Sequence, residues 1–560
     1  MGRLPISFLI LLPLIAHQAR SQPHQTLPHE TPTDQYILVA RESMRRSPAY
    51  LYSQKGFSIV QVNVDSSGMN IVGDAGNEPS IAVHPTDPDK LAIGWRQFDT
   101  ITSNFRQAGY GYSNDGGQSW TFPGVLDPGV FRSDPVLGAD TEGKFFYHSL
   151  ATDPDYHCTL FTDTTGGAGW DSGTYAYGGD KAWMAIDRTE GIGRDQLYFA
   201  WDWAGCCGDD WFTRSTTRGA SFDPPVPVPE DPIWGVTTVG PDGSVYVAGR
   251  RTSTNEEFVV AKSSTVQDSS AGLAFDFAVQ VEMGGNHEFS IGIGPNPGGL
   301  QGQVWIDADH SNGPHAGNIY VLCSVNPPGS DPLDVHFVRS IDGGETWSAP
   351  VRINDDSSST AWQWFGTMSV SPGGRIDVVW LDTRNGPGVH SALFYSYSFD
   401  GGETWSQNEQ LSDSFNPHLG WPNQNKLGDY FDMVSLDEGA HLAWAATFNG
   451  EQDVYYSWIE APVTGVAGPT EYPDRFALIQ NYPNPFNGVS NFGFTISEPA
   501  DVSLVIYDIL GRKVGTLVNE RLAPGTYRRQ WNGRHLPSGI YFYRLQAAGL
   551  TETKTLVLLQ

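Results

Sequence analysis

Acidic, cationic and aromatic residues recur in this chain at the ends of short apolar runs, where a folded protein could gather them. Glu78, Asp134, Asp180 and Glu288 open such runs ("EPSIAV", "DPVLGAD", "DKAWMAID", "EFSIGI"), and Asp429 with Tyr430 opens another, "YFDMVSL". Trp95, Arg96, Trp201, Asp202, Trp203, Arg250, Arg251, Trp380, Asp382 and Arg384 stand near the close of the runs that follow. That mixture suits a sugar. Indole faces stack on pyranose C–H surfaces, carboxylates accept hydroxyl hydrogen bonds, and a guanidinium fork grips an acidic substituent. Asp134, Asp180, Glu288, Asp429 and Tyr430 are the candidates for acid, base or nucleophile. Glu78 and the set at the run ends are the candidates for substrate contacts. Two carboxylates could hydrolyse a glycan, their separation setting retention or inversion. In the plainer reading the charges pair with one another around a solvated channel.

Either reading requires distant runs to meet, and the chain carries a repeat that would bring them together. The unit is an apolar strand, a turn, a second and a third strand, then a Gly-rich turn. First strands are expected near Glu78, Asp134, Asp180, Ile233, Glu288, Phe365 and Tyr430, followed by second strands such as "LAIGWRQ", "LYFAWDW", "VYVAGRR" and "IDVVWLD". This spacing predicts an all-β protein, a β-propeller with seven blades preferred and six the alternative. The early run "FSIVQVNVD" from Phe57 is expected to complete the last blade and so remove its exposed edge.

The Gly-rich turn is read as scaffold. It occurs as "SNDGGQSW" (Ser113 to Trp120), "SIDGGETW" (Ser340 to Trp347) and "SFDGGETW" (Ser398 to Trp405), with decayed copies at Asp163 to Trp170 and Ser215 to Phe222. Glycine supplies positive φ, aspartate accepts from turn amides, and tryptophan covers the neighbouring strands. The pattern resembles the Asp box of the sialidase-like propellers, over residues 57–461. In that superfamily the box lies between third and fourth strands, away from the active site. The resemblance implies an arginine triad, for which Arg96, Arg250 and Arg384 are the matching candidates, and a tyrosine nucleophile, for which Tyr430 is the candidate. The F/Y-R-I-P motif of true sialidases is missing. A non-catalytic propeller that binds a glycan or a protein is the competing class.

With 63 acidic residues against 33 Lys and Arg, the formal charge is -30, which excludes nucleic acid as a natural partner of the main body. Residues 1–21 read as a secretory signal peptide, with Arg3 before an apolar run too short to span a membrane, and residues 22–56 as an N-terminal linker. Export permits disulfides among Cys158, Cys206, Cys207 and Cys323. A bridge from Cys158 to one of the adjacent pair is preferred, and a vicinal Cys206–Cys207 bond is the alternative. No paired CxxC spacing suggests a metal, and no cofactor is expected, although Asp-rich turns such as "HPTDPDK" from His84 could hold a structural Ca²⁺. No nucleophile elbow is present. His287, beside Glu288, reads as a structural histidine.

After a linker at residues 462–475 the composition changes, and residues 476–560 read as a small immunoglobulin-like β-sandwich of alternating strands. Asn481 to Asn487 ("NYPNPFN"), Tyr507-Asp508, Leu510-Gly511-Arg512, Trp531 and Ser538 to Tyr541 resemble the C-terminal sorting domain of type IX secretion. That resemblance implies passage through the periplasm, recognition by the outer-membrane export machinery, and release from the cell or display on its surface. An extracellular glycan or glycoconjugate is the expected ligand.

Overall fold

The computed structural model describes residues 34–153, 155–202, 204–254 and 256–462, and in the tail residues 477–478, 481, 484–486, 488–496, 500–522 and 525–559. The expected signal peptide, Trp203 and most of the second linker lie outside the described residues. The chain divides into two compact units between Pro462 and Val463.

The first unit is a β-propeller. Among the described residues, seven antiparallel sheets follow one another along the chain. Their innermost long strands are Ala75–Val83, Ser133–Ala139, Trp183–Ile186, Thr237–Val239, Trp305–Ala308, Gln363–Val370 and Asp432–Leu436. Each pairs with the strand after it and packs against the innermost strand of the next sheet, and Asp432–Leu436 packs back onto Ala75–Val83. Closure is covalently remote. Strand Phe57–Gln61 pairs with Asp453–Glu460, so the first strands of the unit complete the last sheet on its outer side and cover the edge that Asp453–Glu460 would otherwise expose. Part of the expected linker is itself strand: Leu51–Gln54 continues that sheet, and Arg45–Pro48 pairs with Met69–Val72.

Six of the seven innermost strands lie where the apolar runs place them. The fifth does not. "EFSIGI" at Glu288 is followed by the Gly- and Pro-rich stretch "GPNPGGLQGQ", which cannot sustain a ladder, and the innermost strand forms instead at Trp305–Ala308.

The Asp-box turns are self-contained hydrogen-bond cages joining third strands to fourth. Ser113 Oγ donates to Asp115 Oδ1 (2.7 Å) and accepts from Gly117 N (2.9 Å), while Asp115 Oδ1 also accepts from Ser119 N (2.9 Å). The same bonds recur at Ser340, Asp342, Gly344 and Thr346, and at Ser398, Asp400, Gly402 and Thr404. With their acceptors committed to the local turn, these aspartates are structural.

The second unit has two facing sheets, one ordered Ala477–Leu478, Val489–Ile496, Gly525–Asn532 and the other Lys513–Leu522, Ala500–Tyr507, Gly539–Ala547, Leu550–Leu558. Phe492, Phe494, Leu504, Ile506, Tyr543, Leu545 and Leu556 fill the space between them. The Leu510-Gly511-Arg512 turn is held by Asp508 Oδ1, which accepts from the amides of Leu510 and Arg512 at 2.9 Å each.

Candidate ligand site at the hub of the ring

A local backbone device sets the site. Glu78, Asp134, Lys181, Trp234 and Phe365 all have left-handed backbone, with φ between 48° and 59°, at or near the start of the innermost strands of the first, second, third, fourth and sixth sheets. In the first, second and sixth sheets the pairing register shifts beside this residue, as in a β-bulge. The residue that follows is Pro79, Pro135, Ala182, Gly235 or Gly366 in turn. Left-handed conformations in bulky residues cost on the order of 1–3 kcal/mol each and persist where the surroundings over-determine them, characteristically at functional sites.

Three of these strained residues belong to one buried charge network. Lys181 Nζ lies 3.3 Å from Asp134 Oδ2, 3.3 Å from Asp180 Oδ1 and 2.9 Å from Asp429 Oδ2. Its backbone amide donates to the same oxygens of Asp134 (3.0 Å) and Asp180 (3.1 Å). Lys426 Nζ joins Asp429 Oδ2 (2.8 Å) to Glu78 Oε1 (3.5 Å), and Arg96 Nη2 reaches Glu78 Oε1 at 3.2 Å. Arg96 is held by Asn77 Oδ1 (2.8 Å) and Gln424 Oε1 (3.1 Å). Asp202 borders the network, accepting from Trp234 Nε1 (3.1 Å) and Ala204 N (2.8 Å). Arg250 lies 4.2 Å over the Trp234 ring.

Burial governs the protonation of this group. It pushes Glu78 up to about 8, against the opposing charge of Arg96, and Asp202 up to about 7. Asp180 is raised well above the carboxylate range, burial outweighing Lys181, with the negative charge of Asp134 adding to the rise. Burial also lowers Arg250 to about 10. A carboxyl that keeps its proton beside Asp134, with an ammonium shared between them, is a proton donor in waiting.

The ring thus gathers Glu78, Arg96, Asp134, Asp180 and Asp429, with Asp202 and Arg250 at the border, from the candidates the sequence offers. Trp201 is buried, its amide bonded to Trp211 O (3.1 Å). Tyr430 packs edge-on against Trp183 and donates its hydroxyl to Pro135 O (2.9 Å); burial raises it well above the usual phenol range, a poor state for a nucleophile.

Other candidates make their contacts elsewhere. Trp95 is fully buried and bonds Gln97 Oε1 (2.7 Å), its ring filling space opened by Gly109, where an added Cβ would lie 2.6 Å from it. Trp380 bonds Asp382 Oδ2 (2.8 Å), which also holds Arg384 (2.9 Å); Arg384 continues to Asp355 at 2.6 Å. Arg251 pairs with Glu230 and Glu257. Glu288 is half-buried and raised by burial. The contacts of Arg384 run to its own sheet and the preceding connection, so Arg96, Arg250 and Arg384 are not joined in one contact network.

Lys181, Lys426 and Trp234 are the residues that sequence reasoning passed over. For Lys181 and Trp234 the signal was the register shared by "NEPS", "SDPV", "DKAW" and "IWGV", in which the hub residue precedes a proline or a small residue; Lys426 carries no such signal. Among the described residues no group of three or more His, Cys, Asp or Glu is arranged to hold a metal ion, and Asp87 of the "HPTDPDK" turn pairs with Lys90 at 2.9 Å.

The cysteines depart from the preferred pairing. Cys206 and Cys207 are bonded to each other, while Cys158 and Cys323 are free and buried. Cys158 lies on strand His157–Asp163 with its Sγ directed at Gly179 O (3.6 Å), so it serves as a packed core thiol.

Residues 480–559 match the family model for the secretion system C-terminal sorting domain, and residues 396–407 match the BNR/Asp-box repeat. The sorting domain marks the chain for export by type IX secretion to the cell surface or the extracellular space. No helix among the described residues is long and apolar enough to cross a membrane. No curated protein matches the chain. Solved structures similar to it include a protein of unknown function from Dyadobacter fermentans DSM 18053 (13% identity, TM-score 0.41, covering 73% of this chain and 100% of that one). A fungal alcohol oxidase in complex with copper aligns at 9% identity and TM-score 0.46, covering 92% and 100%. The Trypanosoma rangeli sialidase with 2,3-difluorosialic acid aligns at 11% identity and TM-score 0.36, covering 90% and 89%.

Proposed function

We propose that this exported propeller acts on an extracellular glycan at the hub of its ring, with Asp180 as proton donor and Asp134 as its ionised neighbour. The observation that carries the reading is their shared hold on Lys181: two carboxylates from successive sheets, one driven by burial to keep its proton, stand on one ammonium. Such a pair can protonate a leaving oxygen while the charged partner stabilises or activates what attacks. Glu78, Arg96, Asp429 and Lys426 would brace the pair from the buried side.

A second reading, recognition without turnover, draws on the commitment of Glu78, Asp134, Asp180 and Asp429 to Lys or Arg partners. One experiment separates the two. Purified protein lacking the tail is offered neutral, acidic and sialylated glycans, with Asp180→Asn and Asp134→Asn alongside. Reducing-end release that both variants lower by about 10²-fold or more supports hydrolysis. Retention without release supports recognition, and neither release nor retention on any class sinks the hub as a glycan site.

A further inference from the structure

We infer that the Cys206–Cys207 disulfide is a positioning device for Asp180 and Asp202, and that a dithiol reductant disables it. The inference rests on the reading of the hub as the ligand site, but its structural part is independent of any ligand.

Backbone bonds run from the disulfide to the hub without interruption. Cys206 N donates to Gly178 O (3.1 Å), and Gly205 bridges Gly179 in antiparallel fashion. The next amide, Asp180 N, donates to Ala204 O (2.7 Å), and Asp202 N donates to Asp180 O (3.1 Å). Ala204 N then closes on Asp202 Oδ1 (2.8 Å), the carboxylate that also receives Trp234 Nε1. Asp180 and Asp202 are therefore fixed by the loop that the two cysteines end. The loop is pressed so close that a Cβ on Gly205 would stand 2.7 Å from Trp201 Nε1 and 2.9 Å from Gly178 O. A ring between adjacent cysteines restricts the chain only locally. Its constraint falls on the turn at residues 204–208, with little effect on the unfolded chain as a whole.

The chemistry is a two-electron exchange. A dithiol attacks the half-buried Cys206–Cys207 bond, passes through a mixed disulfide and leaves as its own cyclic disulfide, and two protons complete the protein thiols. Cys158 does not intercept it: burial holds its thiol well above the usual range, and the thiolate is the attacking form.

The test uses the full chain, with and without dithiothreitol, beside a Cys206→Ser/Cys207→Ser variant. Hydrogen exchange of the 178–206 peptides, melting temperature and glycan affinity across pH are read on each. The expected result is lost protection at the Asp180 and Asp202 amides, an unchanged melting temperature and recovery on re-oxidation. Affinity or turnover should fall about ten- to a hundred-fold, with a displaced pH profile. Unchanged protection overturns the inference, as does loss of protection throughout the third sheet with a lowered melting temperature, or a Cys158-containing bridge found by peptide mapping. Lost local protection with unchanged affinity upholds the positioning role and refutes the hub as the ligand site.

Discussion

Lys181→Met removes the ammonium at the centre of the hub and keeps the Cβ, so the left-handed backbone of that residue (φ 52°) is strained in both proteins and the comparison isolates charge. In the wild type, Nζ lies within 3.3 Å of carboxylates on three different segments, all side chains being less than a tenth exposed. Breaking a buried ion pair from one side costs about 3–5 kcal/mol, because the remaining charge is left without a partner. The pH dependence gives the argument its sharper form. Lys181 is itself raised above its ordinary value, so its contribution is present below about 10.5 and constant across the assay range. Its charge lowers Glu78, Asp180 and Asp202. Without it these carboxyls rise further, and at pH 8 the folded form must either ionise them unpaired or hold protons that the unfolded chain has released. At pH 5 they are protonated, and the loss is confined to the pairing with Asp134 and Asp429. Urea unfolding at pH 5, 7 and 8 should therefore give a cost that grows with pH to about 3 kcal/mol or more. Asp180→Asn in the same chain should restore at least about 1 kcal/mol at pH 8. A cost below about 1 kcal/mol at pH 8, or one independent of pH, would refute the account of Lys181 as the keystone of a buried acid cluster.

Two further outcomes follow from the same contacts. Asp342→Ala, which strips the amide and hydroxyl of Thr346 of their acceptor, should cost about 1 kcal/mol in unfolding experiments and leave glycan affinity untouched; an affinity change would return the Asp box to the functional surface. Wild-type stability should fall as pH rises from about 4 to about 8, with the fall unopposed by histidine between about 6.5 and 8. Asp74, Glu78, Asp202 and Asp432 are raised by burial to about 7, 8, 7 and 7, so the stability tied to their protons is full below about 4 and disappears as pH passes those values. The buried His148 and His287, lowered to about 3, act in the opposite direction only below about 6.5. Each proton retained by the folded form is worth about 1.4 kcal/mol per pH unit, and a flat or rising melting temperature in that window would contradict it.

What could be read from the residues was whatever repeats locally. The Ser, Asp and Gly of each box meet within five residues, so their bonds are implied by spacing alone, and the apolar runs needed only the period of a strand. Geometry that depends on register was less legible. Trp380 and Asp382 are two apart on one strand and share a face, so the tryptophan contacts the aspartate and both belong to their own sheet. Trp95 repeats this with Gln97. The fifth innermost strand was obscured because its blade begins with an insertion whose first residues, "EFSIGI", imitate a strand before the glycines and prolines intervene.

Lys181 was missed for a more instructive reason. A search for acids at strand starts selects Asp180, yet the position equivalent to Glu78 and Asp134 is the next residue, as the shared left-handed φ of 49°, 48° and 52° establishes. Rotation by one residue along a strand exchanges the two faces, so the same sequence step that brings a lysine to the hub of the third sheet leaves Asp180 beside it instead of opposite it. The acid pair exists because of that offset: Asp134 arrives from its own hub position and Asp180 from the residue before, and both reach one ammonium whose backbone amide already points at them. A chain with the aspartate at position 181 and the lysine at 180 would keep every apolar run and every Asp box, and would lose the pair.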